Sequence, residues 1–202
     1  MTDSENTPIH PVSGTVVPIF AGPSTFARLP EIRDVKSCDI AILGIPFDAV
    51  TSYRPGARFG PQAIRQASRH LRTQYHPSYN TEPFIEQQVA DAGDITCNPF
   101  NILESVEQIQ TAATEMLGNV KSIISLGGDH TIALPLLRAV NHHFGPVALV
   151  HFDAHLDTGI HTLELHILTA LLLDVQLKKN YFLTMHQCML VYVVLYTAVM
   201  IL

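Results

Sequence analysis

Apolar runs along the chain predict the strands of a parallel sheet. The runs at Asp39–Pro46, Ser122–Leu126 and Val147–Phe152 are short and nearly continuous, as expected for strands covered on both faces. Apolar residues at helical spacing predict a helix over Asn101–Leu117, and a second helix is predicted over Ile132–His143. Strand, helix and strand at these lengths form the right-handed crossover unit of a parallel sheet, so the predicted fold class is α/β.

A polar arm precedes the first predicted strand, and a loop that contains glycines and prolines follows it. Met1–Val17 is polar and contains prolines, which predicts a flexible arm. Thr51–Pro61 contains two glycines and two prolines, and it leads into a helix whose first turn holds Pro61, a favoured position for proline. On the residues alone, this loop is an ordered connection.

Composition narrows the function classes. With 202 residues, of which 47% are hydrophobic, the chain has enough apolar surface for the core of one domain. The formal net charge is −6 and no basic cluster is present, so nucleic acid and anionic membrane surfaces are not expected partners. The three cysteines share no ligand or disulfide spacing, and the N-terminus lacks a basic segment followed by an apolar one. A cytoplasmic location is therefore predicted.

Two short motifs place metal-binding side chains after two of the predicted strands. Asp153, His155 and Asp157 follow the third strand at alternating positions, so an extended backbone would put them on one face. His130 follows the second strand after a pair of glycines, which lets backbone approach a crowded centre. Two imidazoles and two carboxylates would then meet at the carboxyl ends of neighbouring parallel strands, where open α/β sheets usually build sites.

This donor set suits a pair of divalent metal ions. Carboxylate oxygens can bridge two ions about 3.5–4 Å apart, and such a pair makes a water acidic enough to attack at neutral pH. Oxygen and imidazole ligands without thiolate favour manganese over zinc. The G-G-D-H motif taken alone is also explained as a helix start with an acidic cap. The D-A-H-L-D motif is the stronger signal, because burying two carboxylates without a partner costs several kcal/mol.

These motifs resemble a known family. Ile42–Ser68, Gly127–His130 and Asp153–Asp157 resemble the agmatinase branch of the ureohydrolases, which are arginase-like binuclear manganese enzymes. The stretch Gly22–Pro30 is similar to agmatinases and guanidino-acid hydrolases rather than to arginase itself. The resemblance covers Met1–Thr158 and implies an arginase-like three-layer αβα fold with a parallel sheet.

The resemblance also implies roles for individual residues. His130 and Asp157 match ligands of one manganese, His155 matches a ligand of the other, and Asp153 matches a carboxylate shared by both. The loop Thr51–Pro61 would border the active-site mouth or a subunit contact, and the intact protein would form a homo-oligomer. The implied reaction is hydrolysis of agmatine to putrescine and urea, a step of polyamine metabolism, with a guanidino acid such as guanidinobutyrate as the alternative substrate.

The C-terminal part departs from the family pattern. Residues 1–158 are interpreted as the N-terminal part of a ureohydrolase domain, and residues 159–202 as a tail without the expected W-D-x-Y…T-H-G and S-x-D-x-D-x-x-D-P segments. Read one base back from the Thr158 codon with permitted synonymous codons, the tail yields W-D-T-Y-F-G-A-A-Y-T-H-G. We hypothesise that one nucleotide was lost there, which leaves the fold truncated and the tail out of frame. As a membrane anchor, Met189–Leu202 falls short of the roughly 20 residues that a spanning helix needs.

Three interpretations of the function follow. The first is a manganese-dependent amidinohydrolase. The second, preferred for the 202-residue chain, is an inactive fragment that acts at most as a partner of an intact subunit, because it holds four of the six expected metal ligands. The third is a metal-dependent deacetylase, which shares the fold and a D-x-H pair, although the G-G-D-H and A-R-F-G-P stretches argue against it.

Overall fold

A parallel sheet forms the centre of the part of the molecule that the computed structural model describes, which is residues 7–51, 53–71, 74–147, 149–150 and 152. Its three strands are β1 (Cys38–Ile45), β2 (Val89–Asp94) and β3 (Val120–Gly127), in the order β2-β1-β3. The helices of these residues are α1 (Gly60–Ser68), α2 (Pro83–Glu86), α3 (Ile102–Leu117) and α4 (Ala133–Phe144). The predicted α/β fold with a parallel sheet is therefore confirmed.

The central strand β1 is buried on both faces. Leu43 and Ile45 point into a core shared with α3 and α4, while Ile42 points into a second core on the opposite face. Each of these three side chains is at most 3% exposed. This double burial is the physical reason why the sequence of β1 is a continuous apolar run.

Most predicted elements are confirmed within two residues. β1, β3, α3 and α4 coincide with the predicted strands and helices, and α1 begins one residue before Pro61, as the loop sequence indicates. α3 begins after Asn101, whose side chain accepts a hydrogen bond from the amide of Glu104 at 3.2 Å. The predicted buried strand Val147–Phe152 is not observed in its described part: residues 149, 150 and 152 are not in a strand, and Val150 and Phe152 are exposed. Residues 148 and 151 lie outside the described residues.

The sequence-based interpretation missed one strand and misjudged the arm. β2 carries two aspartates and a glycine in six residues, which hid it from a search for apolar runs. Ile9 donates its amide to the side chain of Gln88 at 2.7 Å, and Val12 donates its amide to the carbonyl of Arg28 at 3.0 Å. The segment from Ile9 to Val12 is therefore attached to the domain rather than forming a free arm.

No described helix is both long enough and apolar enough to cross a membrane. The apolar stretch Met189–Leu202 lies outside the described residues.

A β-bulge changes the register of β2 against β1. Ile42 lies opposite Asp91, but Gly44 lies opposite Asp94, so β2 contains one extra residue there. Gly93 adopts a φ of +74° within this bulge, a conformation that glycine accepts readily. As a result, the Asp94 carboxylate lies over Gly44, where a Cβ atom would overlap it.

A buried ion pair connects α1 to β2. The Arg65 guanidinium donates from Nε and Nη2 to the two carboxylate oxygens of Asp91, at 2.8 and 2.9 Å. It also donates to the Asp94 carboxylate at 2.5 Å and to the Gly93 carbonyl at 2.8 Å. Asp91 also accepts the amides of Phe26 at 2.7 Å and of Gly93 at 2.9 Å. Both partners are nearly inaccessible to solvent, so the fold depends on their satisfying each other.

Replacing Arg65 with methionine should lower the free energy of unfolding by about 3–5 kcal/mol, because it leaves the Asp91 carboxylate buried without its main partner. The matched control is Arg33→Met, which breaks the exposed pair between Arg33 and Glu31 and should cost at most about 1 kcal/mol. Urea unfolding of the two variants measures the difference. Equal losses of unfolding free energy in the two variants would show that the buried pair stabilises the fold no more than the exposed pair does.

The same pair predicts how stability depends on pH. Burial raises the pKa of Asp91, but hydrogen bonds from Arg65 and from the amides of Phe26 and Gly93 outweigh it and lower the pKa below its ordinary value. Its stabilising contribution is therefore complete above the ordinary carboxyl pKa of about 4 and is lost as the pH falls through the lowered value. Urea unfolding between about pH 7 and about pH 3 should show a smaller acid loss in Arg65→Met than in the wild type. Parallel curves for the two proteins would contradict this account.

Candidate metal centre

The carboxyl ends of β1 and β3 lie side by side. Ile45 and Gly127, the last residues of the two strands, pair in register. Beyond them, the amide of Asp129 donates to the carbonyl of Phe47 at 2.8 Å. The turn after β3 therefore continues the contact between the strands at the edge where the sequence places the site.

Gly128 allows this close approach. Its φ is +38°, and a Cβ atom at this position would lie 2.6 Å from the carbonyl oxygens of both Ile45 and Phe47. Such a distance is well inside van der Waals contact, so any side chain would force the turn away from β1. The prediction that the glycine pair serves a close backbone approach is confirmed for Gly128, whereas a Cβ atom at Gly127 would meet the side chain of Ile132.

The Asp129 carboxylate fastens the turn at two further points. One oxygen accepts the amide of Thr131 at 2.9 Å, and the other accepts the amide of Val50 at 3.1 Å. Burial raises the pKa of Asp129, and the nearby Asp48 carboxylate adds to the increase, although hydrogen bonds from Thr131 and Val50 oppose it. The acidic-cap interpretation of G-G-D-H is thus confirmed for Asp129, because its side chain caps the short 3-10 helix that follows.

Asp48 organises the loop after β1. Its carboxylate is buried and accepts the amides of Gly56 at 2.6 Å and of Arg58 at 3.2 Å. The Arg58 guanidinium completes the contact with an ion pair. Burial raises the pKa of Asp48, but these hydrogen bonds and the Arg58 charge outweigh it, so the pKa lies below its ordinary value. The loop is therefore ordered around an ionised carboxylate.

The structure places one of the four predicted ligands. His130 is half-buried and is the first residue of the 3-10 helix His130–Ile132, directly after the turn that joins β3 to α4. Asp153, His155 and Asp157 lie outside the described residues, so their convergence with His130 stays a prediction. Within the ranges that the structure describes, no three His, Cys, Asp or Glu side chains are grouped so that they could hold a metal ion.

Asp48 and Arg58 are the residues of this edge that the sequence-based interpretation missed. The sequence signal for Asp48 was its place three residues after the end of a buried strand, because Asp153 was selected as a candidate for following a predicted strand. What the sequence could not reveal is that Arg58 neutralises Asp48 from within the same loop. The result is an edge where two carboxylates hold the backbone around His130 through hydrogen bonds to amides and, for Asp48, an ion pair with Arg58.

Comparison with known proteins agrees with this picture. A family model described as Arginase family matches residues 38–172. Guanidinobutyrase of Pseudomonas aeruginosa is 42% identical over 155 residues, which are 75% of this chain and 48% of that protein. Mitochondrial agmatinase of Gallus gallus is 41% identical over 149 residues, which are 74% of this chain and 44% of that protein. The chain thus spans about half the length of the curated relatives it matches.

Solved structures share the fold. Proclavaminate amidino hydrolase from Streptomyces clavuligerus superposes with a TM-score of 0.75 at 33% identity, covering 82% of this chain and 55% of that one. A variant of Trypanosoma cruzi formiminoglutamase, solved with Mn2+, superposes with a TM-score of 0.66 at 25% identity, covering 80% of this chain and 54% of that one. The predicted three-layer α/β architecture is confirmed by this likeness.

Replacing Gly128 with alanine should destabilise the protein more than replacing Gly145, although both glycines have positive φ. The Gly145 substitution meets no atom within 4 Å and should cost only the conformational penalty of about 1–3 kcal/mol. The Gly128 substitution adds the overlap with two carbonyl oxygens, which should cost about 1–3 kcal/mol more. Urea unfolding of the two variants measures this difference, and equal losses would mean that the turn is not tightly packed against β1.

Proposed function

This chain belongs to the arginase family, and from that premise we propose that the protein is a manganese-dependent amidinohydrolase that hydrolyses the guanidino group of a small substrate. The observation that carries the proposal is the family match over residues 38–172, which includes the whole described edge around His130. Relatives named guanidinobutyrase and agmatinase support the guanidino group as the point of attack.

We propose the following ligands. His130 and Asp157 would bind one manganese ion, His155 would bind the second, and Asp153 would bridge the two. The donor chemistry suits manganese, because imidazole and carboxylate ligands without thiolate favour a hard ion. The placement of His130 supports this assignment, since the residue lies half-buried at the carboxyl edge of the sheet on a turn fixed by Asp129.

The residues divide the work of the reaction between them. When bound, the metal pair supplies a water acidic enough to attack the guanidinium carbon at neutral pH. His130 contributes a ring nitrogen as a ligand, and the Asp48 and Asp129 carboxylates keep the surrounding backbone in place through the hydrogen bonds described above. Because both carboxylates are occupied by amides or by Arg58, we assign them no role as ligands.

Two substrates are candidates. Agmatine is favoured by the resemblance of the motifs to agmatinases. A guanidino acid is favoured by the 42% identity with guanidinobutyrase of Pseudomonas aeruginosa. The two differ at the end remote from the guanidino group, where one carries an ammonium group and the other a carboxylate.

The coding DNA should first be sequenced across the Thr158 codon. We expect one additional base, which would restore the W-D-T-Y continuation, and we expect the restored protein to release urea from agmatine or 4-guanidinobutyrate in the presence of Mn2+. His130→Ala should reduce this activity at least about 100-fold, because a metal ligand is lost. His142→Ala, an exposed histidine at the end of α4, is the matched control and should retain activity.

If the coding DNA contains no additional base, the 202-residue chain should bind Mn2+ through His130 but release no urea, since it would carry four of the six metal ligands. Isothermal titration with Mn2+ and a urea assay distinguish these cases. Failure of the wild type to bind Mn2+, or binding that His130→Ala leaves unchanged, would overturn the proposed metal site. Urea release from neither substrate by a restored protein would overturn the proposed activity.

A further inference from the structure

The hydrogen bonds of Asp129 reach two segments of the chain that are far apart in sequence. One carboxylate oxygen accepts the amide of Thr131, two residues later, and the other accepts the amide of Val50, 79 residues earlier. Capping a helix start requires one acceptor oxygen. The second oxygen therefore serves a different purpose, which is to fasten the turn after β3 to the loop after β1.

We propose that Asp129 is a positioning residue, which fixes His130 for metal binding and couples its placement to residues 46–51 and 53–59, here called the β1 loop. The inference rests on the proposed function, in that His130 is taken as a ligand. His130 lies directly between the Asp129 backbone and the Thr131 amide, both of which are held. The amide of Asp129 donates a hydrogen bond to the carbonyl of Phe47, and the Asp129 side chain accepts hydrogen bonds from the amides of Val50 and Thr131.

The turn that carries His130 has little freedom left under these constraints. Gly128 on one side lies against the carbonyls of Ile45 and Phe47, and Thr131 on the other side is fully buried. A metal ligand must be held within about 0.5 Å of its productive position by the groups around it. The 3-10 helix His130–Ile132 runs directly into α4, which holds its carboxyl end, and we assign the placement of its first residue, His130, to the Asp129 bridge.

The β1 loop is itself held by a second carboxylate. Asp48 binds the amides of Gly56 and Arg58 and the Arg58 side chain, while Asp129 binds Val50 near the start of the loop. The two carboxylates thus hold different parts of the same loop. A change in the β1 loop would reach His130 through the hydrogen bond between Val50 and Asp129.

The test compares variants that separate capping from bridging. Asp129→Ser keeps a good capping group but is too short to hold both amides, and Asp129→Asn keeps the length but offers one acceptor oxygen instead of two. Asn101→Ala removes the cap of α3, which accepts from the amide of Glu104 alone, and serves as the matched control for a cap whose side-chain hydrogen bond stays within its own helix start. All variants are made in the full 202-residue chain.

Two measurements are made on each variant. The first is the NMR signal of the His130 imidazole in the metal-free protein, assigned by comparison with His130→Ala. We expect this signal to shift or broaden in both Asp129 variants and to stay unchanged in Asn101→Ala. The second is the affinity for Mn2+ alone, which should fall about tenfold in the Asp129 variants and stay at the wild-type value in Asn101→Ala.

The outcomes distinguish this inference from the proposed function. If both Asp129 variants keep the wild-type imidazole signal, Asp129 is a cap and the positioning role is overturned. If the signal changes but His130→Ala binds Mn2+ as tightly as the wild type, the positioning role stands and the proposed metal site fails. If Asn101→Ala changes the signal as much as the Asp129 variants do, the effect is one of general stability and the positioning role is again overturned.

Discussion

The pairing of Arg65 with Asp91 joins three parts of the chain that are distant in sequence. The side chain of Arg65 projects from α1, Asp91 belongs to β2, and the amide of Phe26, before β1, also donates to the carboxylate. The same helix begins at Gly60, which packs so closely against the carbonyl of Gly127 that a Cβ atom would overlap it. α1 therefore begins at the end of β3, beside the candidate metal centre, and the Arg65–Asp91 ion pair attaches its last turn to β2.

Three carboxylates share a structural task but differ in their electrostatics. Asp48, Asp91 and Asp129 all accept backbone amides, yet the pKa is lowered for the first two and raised for the third. Arginine accounts for part of the difference in pKa, because the Arg58 side chain adds to the amides of Gly56 and Arg58 at Asp48 and Arg65 contributes at Asp91, whereas the hydrogen bonds to Asp129 do not offset its burial and the nearby Asp48 charge. At the edge of the sheet that carries His130, Asp129 is therefore held by backbone amides, and the neighbouring Asp48 is neutralised by Arg58 of its own loop.

Sequence patterns were sufficient for the parts of the fold that depend on local burial. β1, β3 and α3 appear in the sequence as apolar runs or helical spacing because each packs buried apolar side chains into the core. β2 does not, because its aspartates are compensated by Arg65, which lies 26 residues from Asp91 and gives no local signal.

The candidate site divides in the same way. The glycine pair and the acidic cap at Asp129 were predictable from the motif, since their reasons are local. The bridge to Val50 and the Asp48–Arg58 pair depend on how the β1 loop folds back, which no spacing in the sequence encodes. Asp153, His155 and Asp157 stay predictions.

The bulge in β2 also limits how the sequence can diverge. Because the extra residue places the Asp94 carboxylate directly over Gly44, the residues at these two positions are not independent. A side chain at position 44 requires the Asp94 carboxylate to rotate away or to be replaced by a shorter residue, and either change removes one partner of Arg65. Positions 44 and 94, on neighbouring strands, should therefore covary. Through this contact, a substitution in β1 also affects the ion pairs of Arg65.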